Sequence, residues 1–213
     1  MLEWIEYFFR VVYNVPELIR LVGLVGLIVI VFAETGLLVG FFLPGDSLLV
    51  TAGLFAARGD LDVVWLILTL MAAAIIGDAT GYYIGRRAGQ ALYSRPNSFF
   101  FRRSHLVRTH EFYERHGGKT IIIARFVPIV RTFAPVVAGA AAMSYPSFAT
   151  YNVVGGILWV NSMVLTGYYL GMVIPDIESR LHLVVAIVIF LSLLPAIFAW
   201  LRAMLSRRSA ATP

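Results

Sequence analysis

The chain has 213 residues, 60% of them hydrophobic, with no cysteine and a net charge of +5; its mean hydropathy is +0.83. Soluble domains average about 45 to 50% apolar residues, so this composition is that of an integral membrane protein, and the length allows one compact membrane domain with no room for a second, soluble one. The absence of cysteine excludes a disulfide framework, a cysteine-ligated metal and a thiol nucleophile.

Residues 1–20 mix Trp4, Tyr7, Phe8 and Phe9 with Glu3, Glu6, Arg10 and Glu17. They lack the basic start and small-residue cleavage site of a secretory signal. An interfacial amphipathic helix ending near Pro16 is the expectation. A first crossing follows from Leu21 to Leu43, apolar apart from Glu34. The turn signal Pro44-Gly45-Asp46-Ser47 comes next, yet the chain beyond it stays hydrophobic. The turn therefore sits at membrane depth, and about Gly36 to Ala57 forms a first re-entrant hairpin broken at Pro44 and Gly45.

Val63 to Gly85 is the second crossing. Gly77, Gly81, Gly85 and Gly89 recur every four residues on one helix face, a ladder that admits a neighbouring helix backbone. Asp78 beside the ladder is assigned to helix packing, as is Asn161 further on. Residues 86–119 form a basic loop, with eight Lys/Arg against Glu111 and Glu114, a surplus of six. Between hydrophobic spans such a surplus marks the cytoplasmic side rather than a nucleic-acid surface. Within it, Ser104 caps a short helix to His116, and Phe99–Phe101 dip into the headgroups. His110 and Glu114 stand at ligand spacing, but a solvated helix face explains the pair, and no metal is expected.

Ala124 to Met143 places Arg125, Arg131, Pro128 and Pro135 in an otherwise apolar stretch. Arginine costs about 2.5 to 3.5 kcal/mol at the centre of a membrane helix even on insertion scales, so two of them require partners. The prolines remove backbone donors and break the segment into a second re-entrant hairpin. Pro146 to Gly171 gives another crossing. A last one lies within 176–205, its apolar run from His182 to Leu201, and 206–213 is a basic cytoplasmic tail.

The halves repeat. Thr80–Gly85 reads TGYYIG and Thr166–Gly171 reads TGYYLG; at the same offset of 86 residues Ala52-Gly53 meets Ala138-Gly139 and Ala56 meets Ala142. Repeats at about 34–85 and 120–171, entering from opposite sides, make an inverted pair whose broken segments meet near the midplane, the place where transporters bind substrate. Asp46 aligns within one residue of Arg131, so one copy supplies acid and the other base. The fold expected is all-α: about four transmembrane helices, two re-entrant helical hairpins related by an inverted repeat, and the N-terminal interfacial helix, with 21–175 as the core.

The run HGGKTIIIARFVPIVRTFAPVVAGAAAM followed by FATYNVVGGILW, with Glu34, PGDS and GYYIGRRAG upstream, resembles the bacterial DedA family, related to eukaryotic lipid scramblases that share its VTT domain. The resemblance covers about residues 30 to 175. It implies a proton-linked transporter of the bacterial inner membrane, associated with returning undecaprenyl phosphate across the bilayer and with envelope integrity. By position it carries the family's important acids onto Glu34 and Asp46 and its important arginines onto Arg125 and Arg131.

The chemistry of these residues is compatible with that implication. A guanidinium remains charged at physiological pH and binds phosphate oxygens in pairs. A carboxylate beside it, caught between burial and an arginine, can exchange a proton when an anion competes for the same arginine. The expected substrate site is thus Arg125 and Arg131, with Glu34 and Asp46 for proton coupling. No cofactor is needed beyond the proton gradient, a homo-oligomer is allowed, and no nucleophile motif surrounds Ser47. The chain is therefore read as a non-enzyme. The competing readings are an ion or drug/proton antiporter, an integral-membrane enzyme acting on lipid phosphate, and a membrane scaffold.

Overall fold

The computed structural model describes residues 15–37, 45–93 and 118–173. Six helices make up these segments: α1 (Val15–Gly36), α2 (Gly45–Ala57), α3 (Val63–Tyr93), α4 (Lys119–Arg125), α5 (Pro128–Ala140) and α6 (Tyr145–Val173). Three carry stretches long and apolar enough to cross a membrane, Glu17–Gly36, Val63–Gly89 and Tyr145–Val173. Residues 1–14, the Ser104–His116 helix, Pro44 and the last crossing within 176–205 lie outside the described residues.

Several boundaries differ from the sequence expectation. The helix that carries the first crossing begins at Val15 rather than Leu21, and Gly23 interrupts it with φ 57°, a left-handed conformation that only glycine adopts at low cost. Arg86 and Arg87, placed by the sequence in the basic loop, lie on α3, which runs on to Tyr93. Asp62 starts that helix by accepting the N–H groups of Val64 and Trp65, each at 2.9 Å.

The largest correction concerns Pro135. The sequence made it a helix breaker, whereas α5 continues through it. The break lies earlier, at Phe126 and Val127, because a residue before proline is pushed out of helical geometry; Val127 is extended at φ −117°, ψ 106°, and Pro128 opens α5. Pro135 withholds one N–H from its own helix, and the close seat of α5 on α3 outweighs that loss. α5 ends on a Schellman motif, with Met143 N donating to Ala138 O (3.1 Å) and Ala142 N to Gly139 O (3.0 Å). Ala142 takes φ 58° there, where glycine is usual.

Helices α2 and α5 are 13 residues each, about 20 Å long, which is less than the ~30 Å hydrocarbon core. From Gly45 to Ala56 every residue of α2 is buried, as befits a helix apolar around its whole circumference. α2 packs chiefly on α6, and α5 chiefly on α3. Both contacts are backbone-close: a Cβ on Gly167 would strike Val50 O, and one on Gly85 would strike Val136 O. Val50 and Val136 are 86 residues apart. α1 joins α3 in the same manner, with Gly36 against the Gly77 backbone. The main core lies among α1, α2, α3 and α6, with Leu27, Leu49, Leu54, Leu66, Leu70 and Val164 fully enclosed.

Candidate functional site

Each of the six helices sends at least one polar side chain to a common buried site. Glu34 comes from the last turn of α1, Asp46 from the first turn of α2, Asp78 from mid-α3, Arg125 from the end of α4, Arg131 from the first turn of α5, and Asn152 and Trp159 from α6. All are buried, Glu34 at 1% exposure and Arg125 at 3%.

Arg131 is shared. Its Nη2 donates to Glu34 Oε1 and its Nη1 to Asp46 Oδ1, so one guanidinium closes the gap between α1, α2 and α5. Asp46 Oδ1 also accepts the Trp159 indole N–H at 2.9 Å, and the Arg131 guanidinium carbon lies 4.9 Å from the Trp159 ring centre, within cation–π range. Gly45 sits so close to the Glu34 carboxylate that any Cβ there would overlap it. Gly45 therefore acts by admitting Glu34 to the start of α2, where the helix dipole favours negative charge.

Arg125 makes a different set of contacts. Its Nη2 donates to Asp78 Oδ2 at 2.6 Å, to Asn152 Oδ1, and at 3.4 Å to the Ala74 carbonyl. Asn152 is held in turn by its Nδ2, which donates to Ile75 O at 3.0 Å. Arg125 Nε and Nη1 have no hydrogen-bond partner among the described residues, and neither do Arg131 Nε and Glu34 Oε2. The Trp159 ring is near both arginines, its centre 6.0 Å from the Arg125 guanidinium carbon.

The structure thus brings together Glu34, Asp46, Arg125 and Arg131, the four residues singled out by sequence, and settles a pairing that the sequence leaves open. Both acids go to Arg131. Arg125 takes Asp78, which the sequence reading had assigned to helix packing outside the site. The signal was present: an ionisable residue in the middle of an apolar span is a site residue by default. Trp159 and Asn152 lie in the apolar span from Pro146 to Gly171, and nothing in their spacing reveals which helix they face. Asn161 stays outside, donating to Ile157 O at 2.8 Å on its own helix. Along the glycine ladder, Gly77 faces Gly36 and Thr35 of α1, Gly81 and Gly85 face Pro135 and Val136 of α5, and Gly89 faces Ala140.

With ordinary ionisation, Glu34, Asp46 and Arg131 carry one surplus negative charge, while Asp78 and Arg125 balance. Buried charges in such numbers persist only when paired and hydrogen-bonded. One proton suffices to neutralise the whole assembly.

The VTT domain family matches residues 43–169, more than half the chain. That segment holds Asp46, Asp78, Arg125, Arg131, Asn152 and Trp159, and Glu34 lies just before it. The chain is 53% identical to the protein DedA of Escherichia coli (strain K12) over 178 residues, 83% of this chain and 81% of that protein. It is 46% identical over 172 residues to an uncharacterized membrane protein of Mycobacterium leprae (strain TN), covering 81% of this chain and 77% of that one. With the inner membrane protein YqjA of Escherichia coli (strain K12) the identity is 36% over 156 residues, 73% of this chain and 70% of that protein. No solved structure matches the chain. On the match of its helical core and on these relatives, the chain belongs to the DedA family of VTT-domain membrane proteins.

Proposed function

We propose that the protein is a proton-coupled transporter or flippase for an anionic lipid of the bacterial inner membrane, with undecaprenyl phosphate or a related polyprenyl phosphate as substrate. It would return carrier lipid for envelope synthesis, with the basic loop and C-terminus cytoplasmic, and without chemical change to the lipid. The observation that carries this reading is the sharing of Arg131 between Glu34 and Asp46. Two carboxylates share one guanidinium, each on its own terminal nitrogen, so the arginine can lose one partner and stay held by the other. A proton on either acid weakens its hold on one Arg131 nitrogen, and a phosphate oxygen replaces it. Loss of that proton returns the carboxylate to the arginine and displaces the phosphate. Competition of this kind links proton movement to anion movement in one site.

The helix arrangement supports the reading by a second route. α2 and α5 have equal length, each rests on the long helix that belongs to the other half, and their contact residues Val50 and Val136 are related by the sequence offset of 86. We take the halves as an inverted repeat and α2 and α5 as membrane half-helices, neither long enough to cross alone. In such folds the site lies where the broken segments meet, and alternating access follows from rocking one half against the other.

Reconstitution in liposomes containing undecaprenyl phosphate tests the proposal, scoring leaflet exchange with and without a pH gradient. Exchange that responds to the gradient and disappears in a folded Arg131→Ala variant is the expected result. Release of inorganic phosphate would overturn it in favour of an enzyme.

A further inference from the structure

Arg125 and Arg131 are both buried arginines against the same tryptophan, yet they are held in different ways. Arg131 commits both terminal nitrogens to carboxylates. Arg125 makes its hydrogen bonds through Nη2, to Asp78, Asn152 and Ala74 O, while Nη1 and Nε, on a side chain only 3% exposed, meet no hydrogen-bond acceptor among the described residues. Buried guanidinium donors without acceptors are costly and call for a reason, and an anion that uses them is one. Gly155 and Gly156 of α6 pack closely on the guanidinium, a Cβ at 155 coming within 3.1 Å of Arg125 Cδ and 3.4 Å of Nε, so a phosphate reaches these donors only when α6 shifts.

We propose that Asp78 and Asn152 are positioning residues for Arg125: they fix the guanidinium by one nitrogen, leave Nη1 and Nε for the oxygens of a phosphate monoester, and through the Asp78 charge keep that phosphate weakly enough bound to leave again. This deepens the transport reading and rests on it for the substrate class. Arg125 is then the arginine that receives phosphate while Arg131 is still paired with its acids. Transport needs a site that binds well enough to load and poorly enough to release, and a fixed negative charge beside the anion site achieves this. Asn152 contributes orientation without charge, its own amide being held by Ile75 O.

Trp159 provides the readout, since its ring lies 6.0 Å from the Arg125 guanidinium carbon. Full-length protein with Trp4, Trp65 and Trp200 changed to Phe is titrated in detergent with a short-chain polyprenyl phosphate, with the matching alcohol, and with inorganic phosphate, and turnover is measured in liposomes. The polyprenyl phosphate changes Trp159 fluorescence and the alcohol does not; a response to inorganic phosphate at similar concentration assigns recognition to the phosphate alone, and a response only to the lipid assigns it to headgroup and chain together. Asp78→Asn, which keeps an oxygen acceptor but removes the charge, tightens apparent Kd about tenfold and slows turnover by a similar factor. Asn152→Ala weakens Kd a few-fold. Asp78→Asn combined with Asn152→Asp, which moves the carboxylate to the other acceptor of the same nitrogen, returns both quantities to within about threefold of the parent. A merely structural aspartate does not tighten binding when neutralised, so an Asp78→Asn protein with unchanged or weaker Kd overturns the proposal. If that variant does not fold, a folded double variant with parental Kd sustains the proposal and one without binding overturns it. Phosphate binding with these effects but no lipid transport by the parent removes the transport reading and leaves the Arg125 site standing.

Discussion

The Arg131 and Arg125 clusters are built from the same residue types around one indole, and they differ in charge balance. Arg131 faces two acids and Arg125 faces one acid and an amide. The surplus carboxylate makes the first cluster able to take up a proton without becoming cationic, whereas the second is already neutral. A pair of buried arginines therefore need not have a shared role, and the acceptors decide which can change partners and which is fixed.

The largest effect expected from breaking this comparison comes at Arg131. Arg131→Ala leaves Glu34 and Asp46 buried without a counterion, and removing one partner of a buried ion pair costs about 3 to 5 kcal/mol. Thermal unfolding in detergent should show a large loss of stability. Adding Glu34→Gln and Asp46→Asn should recover most of that stability but none of the transport. Recovery of both would show that the cluster serves only to hold the helices together.

Arg125→Ala should destabilise less than Arg131→Ala, because it strands one acid rather than two, and Asp78→Asn in the same chain should relieve the loss. Equal destabilisation by the two arginine substitutions would argue against the difference in charge balance. Next in size is Gly45→Ala. Its Cβ overlaps the Glu34 carboxylate, so it should cost about 1 to 3 kcal/mol, the usual penalty for overpacking, and should impair transport by parting Glu34 from Arg131. Trp159→Phe keeps one aromatic ring but loses the N–H that Asp46 accepts, at about 1.5 to 3 kcal/mol for a hydrogen bond to a charged group, besides the void left by the smaller ring at a fully buried position. The smallest change is a gain: Ala142→Gly relieves a left-handed backbone angle and should raise stability by about 1 kcal/mol, visible as a higher unfolding midpoint with unchanged transport.

Much of this site could be read from the sequence because hydrocarbon makes charge conspicuous. Glu34, Asp46, Arg125 and Arg131 stand out in apolar surroundings, and a cost of several kcal/mol each demands a reason. Asp78 carries the same cost, but the glycine ladder next to it offers a simpler role in helix packing. Which acid meets which arginine was not legible. That depends on how α2 and α5 cross to the opposite long helices, and it is set by backbone approaches at Gly53, Gly139, Gly85 and Gly167, whose partner helices no local pattern encodes. Pro135 shows the same limit in reverse. Its sequence signal for a break is real, but the break was placed at Pro128, where proline both restricts the preceding residue and opens the next helix.

The most direct test of the shared arginine is gradient-driven lipid exchange by a chain carrying Glu34→Gln and Asp46→Asn together, reconstituted in liposomes with undecaprenyl phosphate. If the acids compete with phosphate for Arg131 and carry the proton, exchange no longer responds to the pH gradient, although phosphate lipid still binds. Gradient-driven exchange at the rate of the unsubstituted protein would contradict the account.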